Sequence, residues 1–331
     1  MSTKTKPRFS FKSIHGVMVL FAATIFVIIY LGLVLFGRLR LVPSFDFILN
    51  QPKRVELKLE GPYTNGAIAD FQNGQYIALR KIEDHNSSIW LAKKQGDDVK
   101  EITKLSLRST FAEDPRLIVY NNQLVVVYND LVDRSRRMHL AFLTLDNETF
   151  EVQKIQALKK EGAEKNTEKN WVPFVFEDQL YFVYETQPWT ILKYEQDGTC
   201  SVFKSTDILI PGETPYLSGG TPAVQIGDEF VSFYHIRSGV TRSYISWNRY
   251  IYLVGAYTFE AKPPFDLKKL TVRPLSYRGA YNLNDNPKKI LYPVGLIEQK
   301  DHFELSLGVN DDRTEIVHVD KEKLFSLMSP V

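Results

Sequence analysis

A single cysteine, Cys200, occurs in this 331-residue chain, so no internal disulfide can form and a Cys-based zinc site is excluded. The sequence has no Asp-x-Asp pair and no run of histidines, and metal-independent chemistry without a cofactor is expected. Excess charge is lacking too. Lys and Arg number 41 against 39 Asp and Glu, a formal net charge of +2. Basic residues mostly alternate with acidic ones, as on a solvated face, and no nucleic-acid partner is expected. Helical periodicity is almost missing beyond the N-terminal region. What is present is an apolar content of 44%, enough for a sizeable core, and an aromatic share of 13%. Tyr, Phe and Trp suit pleated strands, and their faces also suit sugars.

Charge is absent altogether from residues 16–37, GVMVLFAATIFVIIYLGLVLFG. At about 1.5 Å per helical residue, such a run spans a hydrocarbon core of roughly 30 Å. A secretory signal has a shorter apolar region and a small-residue cleavage site, whereas here the chain continues GRLRLV after Phe36. The pattern predicts a cytosolic tail over 1–15, an uncleaved transmembrane helix over 16–37, a stem over 38–53 and a domain over 54–331. Lys4, Lys6, Arg8 and Lys12 precede the span without an acid, while Arg38 and Arg40 follow it. This bias places the N-terminus in the cytosol. The chain is thus expected to be a type II membrane protein, with the lipid bilayer as a partner. Its domain would face the lumen of the secretory pathway; alternatively, the anchor would sit in a bacterial inner membrane with the domain in the periplasm. Asn86-Ser87-Ser88 and Asn147-Glu148-Thr149 are glycosylation sequons, usable only in a eukaryotic lumen.

Beyond the stem, short apolar runs alternate with turn residues: QYIALRKI, SIWLAKK, RLIVY, QLVVVY, HLAFLTL, QLYFVYE, TILKYE, EFVSFYHI, YIYLVGAY and FELSLGV. Many have period two and end at Asn, Asp or Gly, as in Tyr120-Asn121-Asn122 or Ile226-Gly227-Asp228. They also repeat. Segments starting at Pro115, Pro173 and Pro222 each give a proline, an apolar strand, a polar turn and a second apolar strand. Pro293 opens a looser copy, and Gly66 opens one without the proline. Five copies at roughly 50 residues each match four-stranded propeller blades. The expected fold is all-β, a five-bladed β-propeller; the competing reading is a sandwich with irregular hairpins.

A small polar cluster leads into each copy: Tyr63-Thr64-Asn65, Ala112-Glu113-Asp114, Glu168-Lys169-Asn170-Trp171, Gly219-Gly220-Thr221 and, less polar, Ile290-Leu291-Tyr292. In a propeller the innermost strands line a central channel, and the segments leading into them converge on one mouth. Polar residues distant in sequence would meet there.

The set NGA…YIALR, AEDPR followed by VVYND, EKNWVPF, GGTPAV, FYHIR and SLGVNDD resembles the β-mannoside phosphorylase family of glycoside hydrolases and the related mannosyl-β-1,2 transferases. Order and spacing agree over about 60–315, and Glu113-Asp114-Pro115-Arg116 is the most specific element. The resemblance implies a five-bladed propeller that cleaves or builds a mannosidic bond with inversion. It implies Asp130 as proton donor and a phosphate or diphosphate clamp of Lys169, Asn170, His235 and Tyr292. It also implies a sugar-binding Asp311. The family's phosphate-binding Arg is matched equally by Arg134, Arg136 and Arg137, and Trp171-Val172-Pro173-Phe174 replaces a more aliphatic segment. Family members from bacteria are generally soluble, whereas an anchor is expected here. These departures leave the acceptor open between phosphate, water and a sugar.

Inverting transfer needs a proton-transferring group and a nucleophile on the opposite face of the ring, with groups that offset the developing charge. Asp130 would move the proton. Lys169 and His235 would hold an anion by charge-assisted hydrogen bonds. The candidate sugar contacts are Asn65, Arg80, Glu113, Asp114, Arg116, Trp171, Thr221 and Asp311. Plainer readings stand beside these. Asp114-Pro115 starts a turn unaided, Arg116 beside two carboxylates equally makes a fold-stabilising pair, and His235 also reads as a hydrogen-bonded structural residue. The expected function is a membrane-anchored inverting glycosyltransferase acting on mannose or a related hexose. Its donor would be a nucleotide sugar or sugar phosphate, and its acceptor a glycan. Transfer is preferred because an anchored luminal domain meets such donors. The alternatives are an anchored phosphorylase or hydrolase using the same site, and a non-catalytic sugar-binding propeller.

Overall fold

Alternating apolar runs become antiparallel strands in the computed structural model of the chain, which describes residues 19, 21–31, 46–47, 54–57, 59, 61–84, 86–146, 149–162, 164–208, 210, 217–239, 250–271, 273–276 and 289–331. Residues 44–239 with 249–331 form one compact unit, which holds every described strand. The other unit comprises 1–43 with 240–248; of it, 19 and 21–31 are described, helical and solvent-exposed. The remainder of the expected span, and the whole cytosolic tail, lie outside the described residues. Among the described residues no helix is long and apolar enough to cross a membrane. The expected stem needs one correction. Asp46–Phe47 is a short strand that pairs in parallel with Leu275–Ser276, so part of this segment belongs to the β structure.

Among the described residues, five four-stranded antiparallel meanders hold all but a few short, peripheral strands of the unit. The first runs Tyr63–Phe71, Gly74–Glu83, Asn86–Gln95 and Asp98–Lys104. The second runs Glu113–Tyr120, Gln123–Val132, Ser135–Asp146 and Thr149–Ala157. The third runs Val172–Phe176, Gln179–Thr186, Trp189–Tyr194 and Thr199–Thr206. The fourth runs Val224–Ile226, Glu229–Gly239, Tyr250–Glu260 and Leu267–Thr271. The fifth runs Lys289–Glu298, His302–Val309 and Arg313–Asp320, and its outer strand is Arg54–Glu56 from near the chain's start. Each predicted copy thus became the first hairpin of a meander.

Among the described residues the first strand of each of the first four meanders ends its sheet, whereas that of the fifth pairs in parallel at Lys289 and Ile290 with Ile251 and Tyr252 and is open beyond them; open edges are where proline and bulges are tolerated. Pro115 sits in the register shift between Glu113 and Arg116, and Pro293 opens the one that ends at Gly295. A third shift falls between Thr64 and Ala67. Period-two alternation gives each meander two apolar faces, and every face packs on a neighbour. Apolar layers join the first and second meanders (Ile89, Leu91 with Leu124, Val126), the second and third (Val125, Val127 with Leu180, Phe182), and the third and fourth (Phe174, Ile191 with Phe230, Phe259). Two more join the fourth and fifth (Val231, Phe233 with Leu305, Leu307) and the fifth and first (Ile297, Ile316 with Ile68, Ile77).

Candidate active site

The bulged starts of the innermost strands share a backbone conformation. Asn65, Asp114 and Asn170 all have positive φ, at 49°, 55° and 64°. Asn and Asp tolerate this left-handed region better than other L-residues, and unusual backbone of this kind clusters at functional sites. The turn aims these three short polar side chains at one another. Asn65 Nδ2 donates to Asp114 Oδ1 at 2.9 Å, and the Tyr292 hydroxyl donates to Asn170 Oδ1 at 2.7 Å and to Asp114 Oδ2 at 3.5 Å. Residues of the first, second, third and fifth meanders therefore meet at one point.

Arg116 brings in the fourth. Its guanidinium is fully buried and donates to the carbonyls of Gly219 (3.1 Å), Gly220 and Asp114 (3.3 Å), and to the Tyr292 hydroxyl (3.4 Å). Only glycine fits here. A Cβ on Gly219 would stand 2.1 Å from the Asn170 carbonyl oxygen, and one on Gly220 would stand 2.3 Å from that of Phe233. With four of its five N–H groups taken by three carbonyls and the Tyr292 hydroxyl, Arg116 has no two-pronged fork left for a ligand, which argues against its assignment as a sugar contact. It positions the mouth.

Outside this cross-linked centre lies a second, more open group. Arg80 bonds Glu113 Oε2 at 2.6 Å and Asp114 Oδ1 at 3.3 Å, and is itself held by Ser87 Oγ at 2.9 Å. Arg136 reaches Glu113 Oε2 at 3.2 Å, which separates it from Arg134, exposed in a turn, and from Arg137, bonded to the carbonyls of Lys165 and Asn166. Glu113 and Asp114 are pushed apart in acidity. Burial, then the Asp114 charge, raise the Glu113 pKa against the pull of Arg80, Arg136 and Lys169. Burial opposes ionisation of Asp114 as well, but Arg80, Arg116 and the Asn65 amide outweigh it and leave its pKa below the ordinary value.

Lys169 is exposed and makes no hydrogen bond or ion pair among the described residues, yet its charge reaches Glu113, Asp114 and His235. His235 is buried, tilted against Tyr292 at 4.6 Å between ring centroids and stacked on Tyr252 at 5.6 Å. Burial, then the Arg116 charge, push its pKa down to about 3. Burial and the neighbouring Arg116 thus work against the cationic role expected of this imidazole. Asp311, half-buried with φ 58°, lies in the turn after His302–Val309. Asn310 ties that turn to Ile290, where the fifth lead-in begins, by bonds of 2.9 and 3.0 Å.

Asp130 forms a group of its own. It is 1% exposed, and its Oδ1 accepts from the Ser109 hydroxyl and from the Leu131 N–H at 2.8 Å. Beneath it the rings of Tyr128 and His139 stack at 5.5 Å. Burial lowers the His139 pKa, while the Asp130 charge acts the other way. Among the described residues the hydrogen bonds of Asp130 go to Ser109 and Leu131 and not to the Asp114 centre.

Two further expectations are overturned by burial. Trp171 is 1% exposed, donates Nε1–H to Glu168 at 3.2 Å and packs edge-on against Phe182 and Tyr184, so it presents no face to a sugar. Thr221 is fully buried, and its hydroxyl accepts from Phe233 N–H at 3.0 Å; it ties the fourth lead-in to the next strand. Ser109, which holds Asp130, and Ser87, which holds Arg80, are not among the expected site residues; in the sequence Ser87 reads only as the middle residue of a sequon.

No family model matches the chain. A stretch of 79 residues, 24% of the chain, is 30% identical to the A-type hemocyanin (units Ode to Odg) of Enteroctopus dofleini, and the match takes in 6% of that protein's length. Likeness to solved structures covers far more. A glycosyl hydrolase from Bacteroides ovatus is 11% identical, with 87% of this chain and 96% of that one covered, at a TM-score of 0.60. The β-1,2-mannobiose phosphorylase of Listeria innocua, solved with β-1,2-mannobiose, is 15% identical over 87% and 96%, at 0.58. MPT-1, a GDP-Man-dependent mannosyltransferase from Leishmania mexicana, is 13% identical over 81% and 90%, at 0.55. The chain thus has the fold of the mannoside phosphorylases and of this mannosyltransferase, as the sequence resemblance implied. At these identities the likeness speaks for the fold.

Proposed function

We propose that the domain closes as a five-bladed β-propeller and that the protein is a membrane-anchored inverting glycosyltransferase. It would move mannose or a related hexose from a nucleotide-sugar or sugar-phosphate donor to a glycan acceptor. Five apolar layers that run in cyclic order, the last returning to the first meander, support closure. The observation that carries the function is the mouth itself. Lys169, which has no hydrogen bond or ion pair among the described residues, acts by its charge on two carboxylates whose acidities are driven apart, on a scaffold cross-linked from all five meanders. Fold likeness to a mannosyltransferase and to a mannobiose phosphorylase favours mannose among sugars.

In this reading Lys169, with Asn170, holds the anionic leaving group. Arg80, Asp114 and Asn65 bind ring hydroxyls, and Asp311 borders the acceptor side. Asp130 takes the proton of the attacking hydroxyl; in the reverse direction the same group protonates the glycosidic oxygen, as microscopic reversibility demands. Phosphorolysis is the second reading, favoured by the same exposed ammonium, which suits inorganic phosphate as well as a diphosphate. The uncharged run over 16–37 supports the type II anchor, with the domain in the lumen of the secretory pathway.

Full-length protein in detergent would be incubated with a panel of nucleotide sugars and with mannose 1-phosphate, each with and without mannoside acceptors, and product linkage read by NMR. A new inverted linkage from a nucleotide sugar supports the proposal. Turnover from mannose 1-phosphate alone moves the protein to the phosphorylases, release of free sugar makes it a hydrolase, and binding without turnover makes it a lectin.

A further inference from the structure

At the other end of the strands, away from the mouth, the fifth meander carries a group that its sequence spacing conceals. His302 and Glu304 are two apart on one strand, so they share a face. His318 lies directly opposite Glu304 on the next strand, and the His302 and His318 rings stack at 4.4 Å. One donor atom from each of the three residues falls within 4.8 Å of the others, and all three are partly accessible. This brings together histidines that are 16 positions apart in the sequence and form no run there.

His302 is already set for coordination. Its Nδ1 lies 2.7 Å from Asp301 Oδ1. A carboxylate only accepts, so Nδ1 carries the proton and Nε2 keeps its lone pair. That Nε2 is buried and has no hydrogen-bond partner among the described residues, an arrangement that is costly unless something fills it. A carboxylate–imidazole pair aiming a bare nitrogen at a shared centre is how metal-ligating histidines are oriented. Glu304 is likewise held: Gln75 Nε2 of the first meander donates to its Oε2 at 3.2 Å and to Asp70 Oδ1 at 3.1 Å.

We infer that His302, Glu304 and His318 bind a zinc ion, with water in the fourth position. Two imidazole nitrogens and one carboxylate oxygen suit zinc in tetrahedral coordination, and hard cations such as calcium or magnesium want more oxygens. Through Gln75 the centre spans the seam where the last meander meets the first. The ion would clamp that seam and take no part at the mouth.

The test uses full-length protein in detergent, stripped with chelator and titrated with Zn²⁺ against a chromogenic competitor, with Co²⁺ spectra to report coordination number. One equivalent is expected, with a four-coordinate cobalt spectrum and a raised Tm. His302→Gln and His318→Gln should remove that equivalent and the Tm shift. Asp301→Asn, exposed and harmless to the fold, should weaken binding about 10- to 100-fold. Circular dichroism would confirm that the variants are folded, and if the glutamine variants are not, Asp301→Asn decides alone. Zinc bound equally by wild type and Asp301→Asn, or no stoichiometric binding by wild type, overturns the proposal.

Discussion

Arg116 and Lys169 are two cations at one mouth, used in opposite ways. Arg116 is fully buried and spends its donors on three carbonyls and a tyrosine; Lys169 is exposed and spends none among the described residues. Both act on Asp114 and His235. The difference separates groups that build the site from groups free to hold a ligand. A planar guanidinium can satisfy several fixed carbonyls at once, whereas a compact ammonium on a flexible stem suits a ligand that comes and goes. Sequence alone placed both residues among ligand contacts, and burial divides them.

Asp130 strains this division, because it is as buried as Arg116 and yet is assigned the chemistry. Its substitution should give the largest effect. Asp130→Asn should lose about 100- to 10,000-fold in kcat with donor affinity little changed, read by steady-state kinetics beside calorimetry. Should Asp130→Asn turn over normally, the proton transfer passes to the accessible side of the comparison. Glu113, whose pKa is raised by burial and by the Asp114 charge, is then the next candidate.

Arg116→Met should come next, and in stability. It strands the Gly219, Gly220 and Asp114 carbonyls and leaves the Asp114 carboxylate with one cation fewer; removing one partner of such a buried network costs about 3–5 kcal/mol. Lys169→Met should stay within about 0.5 kcal/mol of wild type. Chemical denaturation of the two variants side by side checks this, and equal losses would erase the distinction.

Lys169→Ala should then weaken phosphate or nucleotide-diphosphate binding by about 1.5–3 kcal/mol, the worth of a charge-assisted bond. High donor concentration should partly restore its rate. Unchanged anion affinity in calorimetry would leave Lys169 a solvated surface residue.

How much of this was legible beforehand depends on how local each feature is. The five first hairpins could be read because period two, the polar turns and prolines such as Pro115 and Pro173 sit within a dozen residues of one another. The outer strand Arg54–Glu56 could not, because its partner at 315–317 lies at the far end of the chain. Asn65, Asp114 and Asn170 were legible as lead-ins, since Asn and Asp before a strand accept left-handed backbone. Which of Arg134, Arg136 and Arg137 faces Glu113 was not, because strand alternation makes a one-residue difference decisive. Trp171 fell to the same problem, and His302, Glu304 and His318 meet only through cross-strand register.

His235 gives the smallest expected effect and tests the buried side of the comparison by pH. Its ordinary pKa is 6.5, and in the folded protein it is pushed down to about 3 by burial and by Arg116, with Lys169 adding to this and Asp114 opposing it. Between those two values the unfolded chain holds a proton on His235 that the folded protein lacks. Stability linked to this group is therefore full above about pH 6.5 and falls as pH drops toward 3, by at most about 1.4 kcal/mol per pH unit for one proton. Glu113 acts with the opposite sign: its raised pKa keeps a proton in the folded state, so its contribution is lost as pH rises through that value. Both slopes occur in wild type, and His235→Gln removes only the first. Denaturation midpoints from pH 7 down to 4 should show wild type losing stability more steeply than His235→Gln. The glutamine will also disturb packing against Tyr252 and Tyr292, but to first order that shifts the curve without tilting it. Parallel curves would mean that His235 titrates near its ordinary value, that it is available as a cation, and that it belongs with Lys169 in holding the anion.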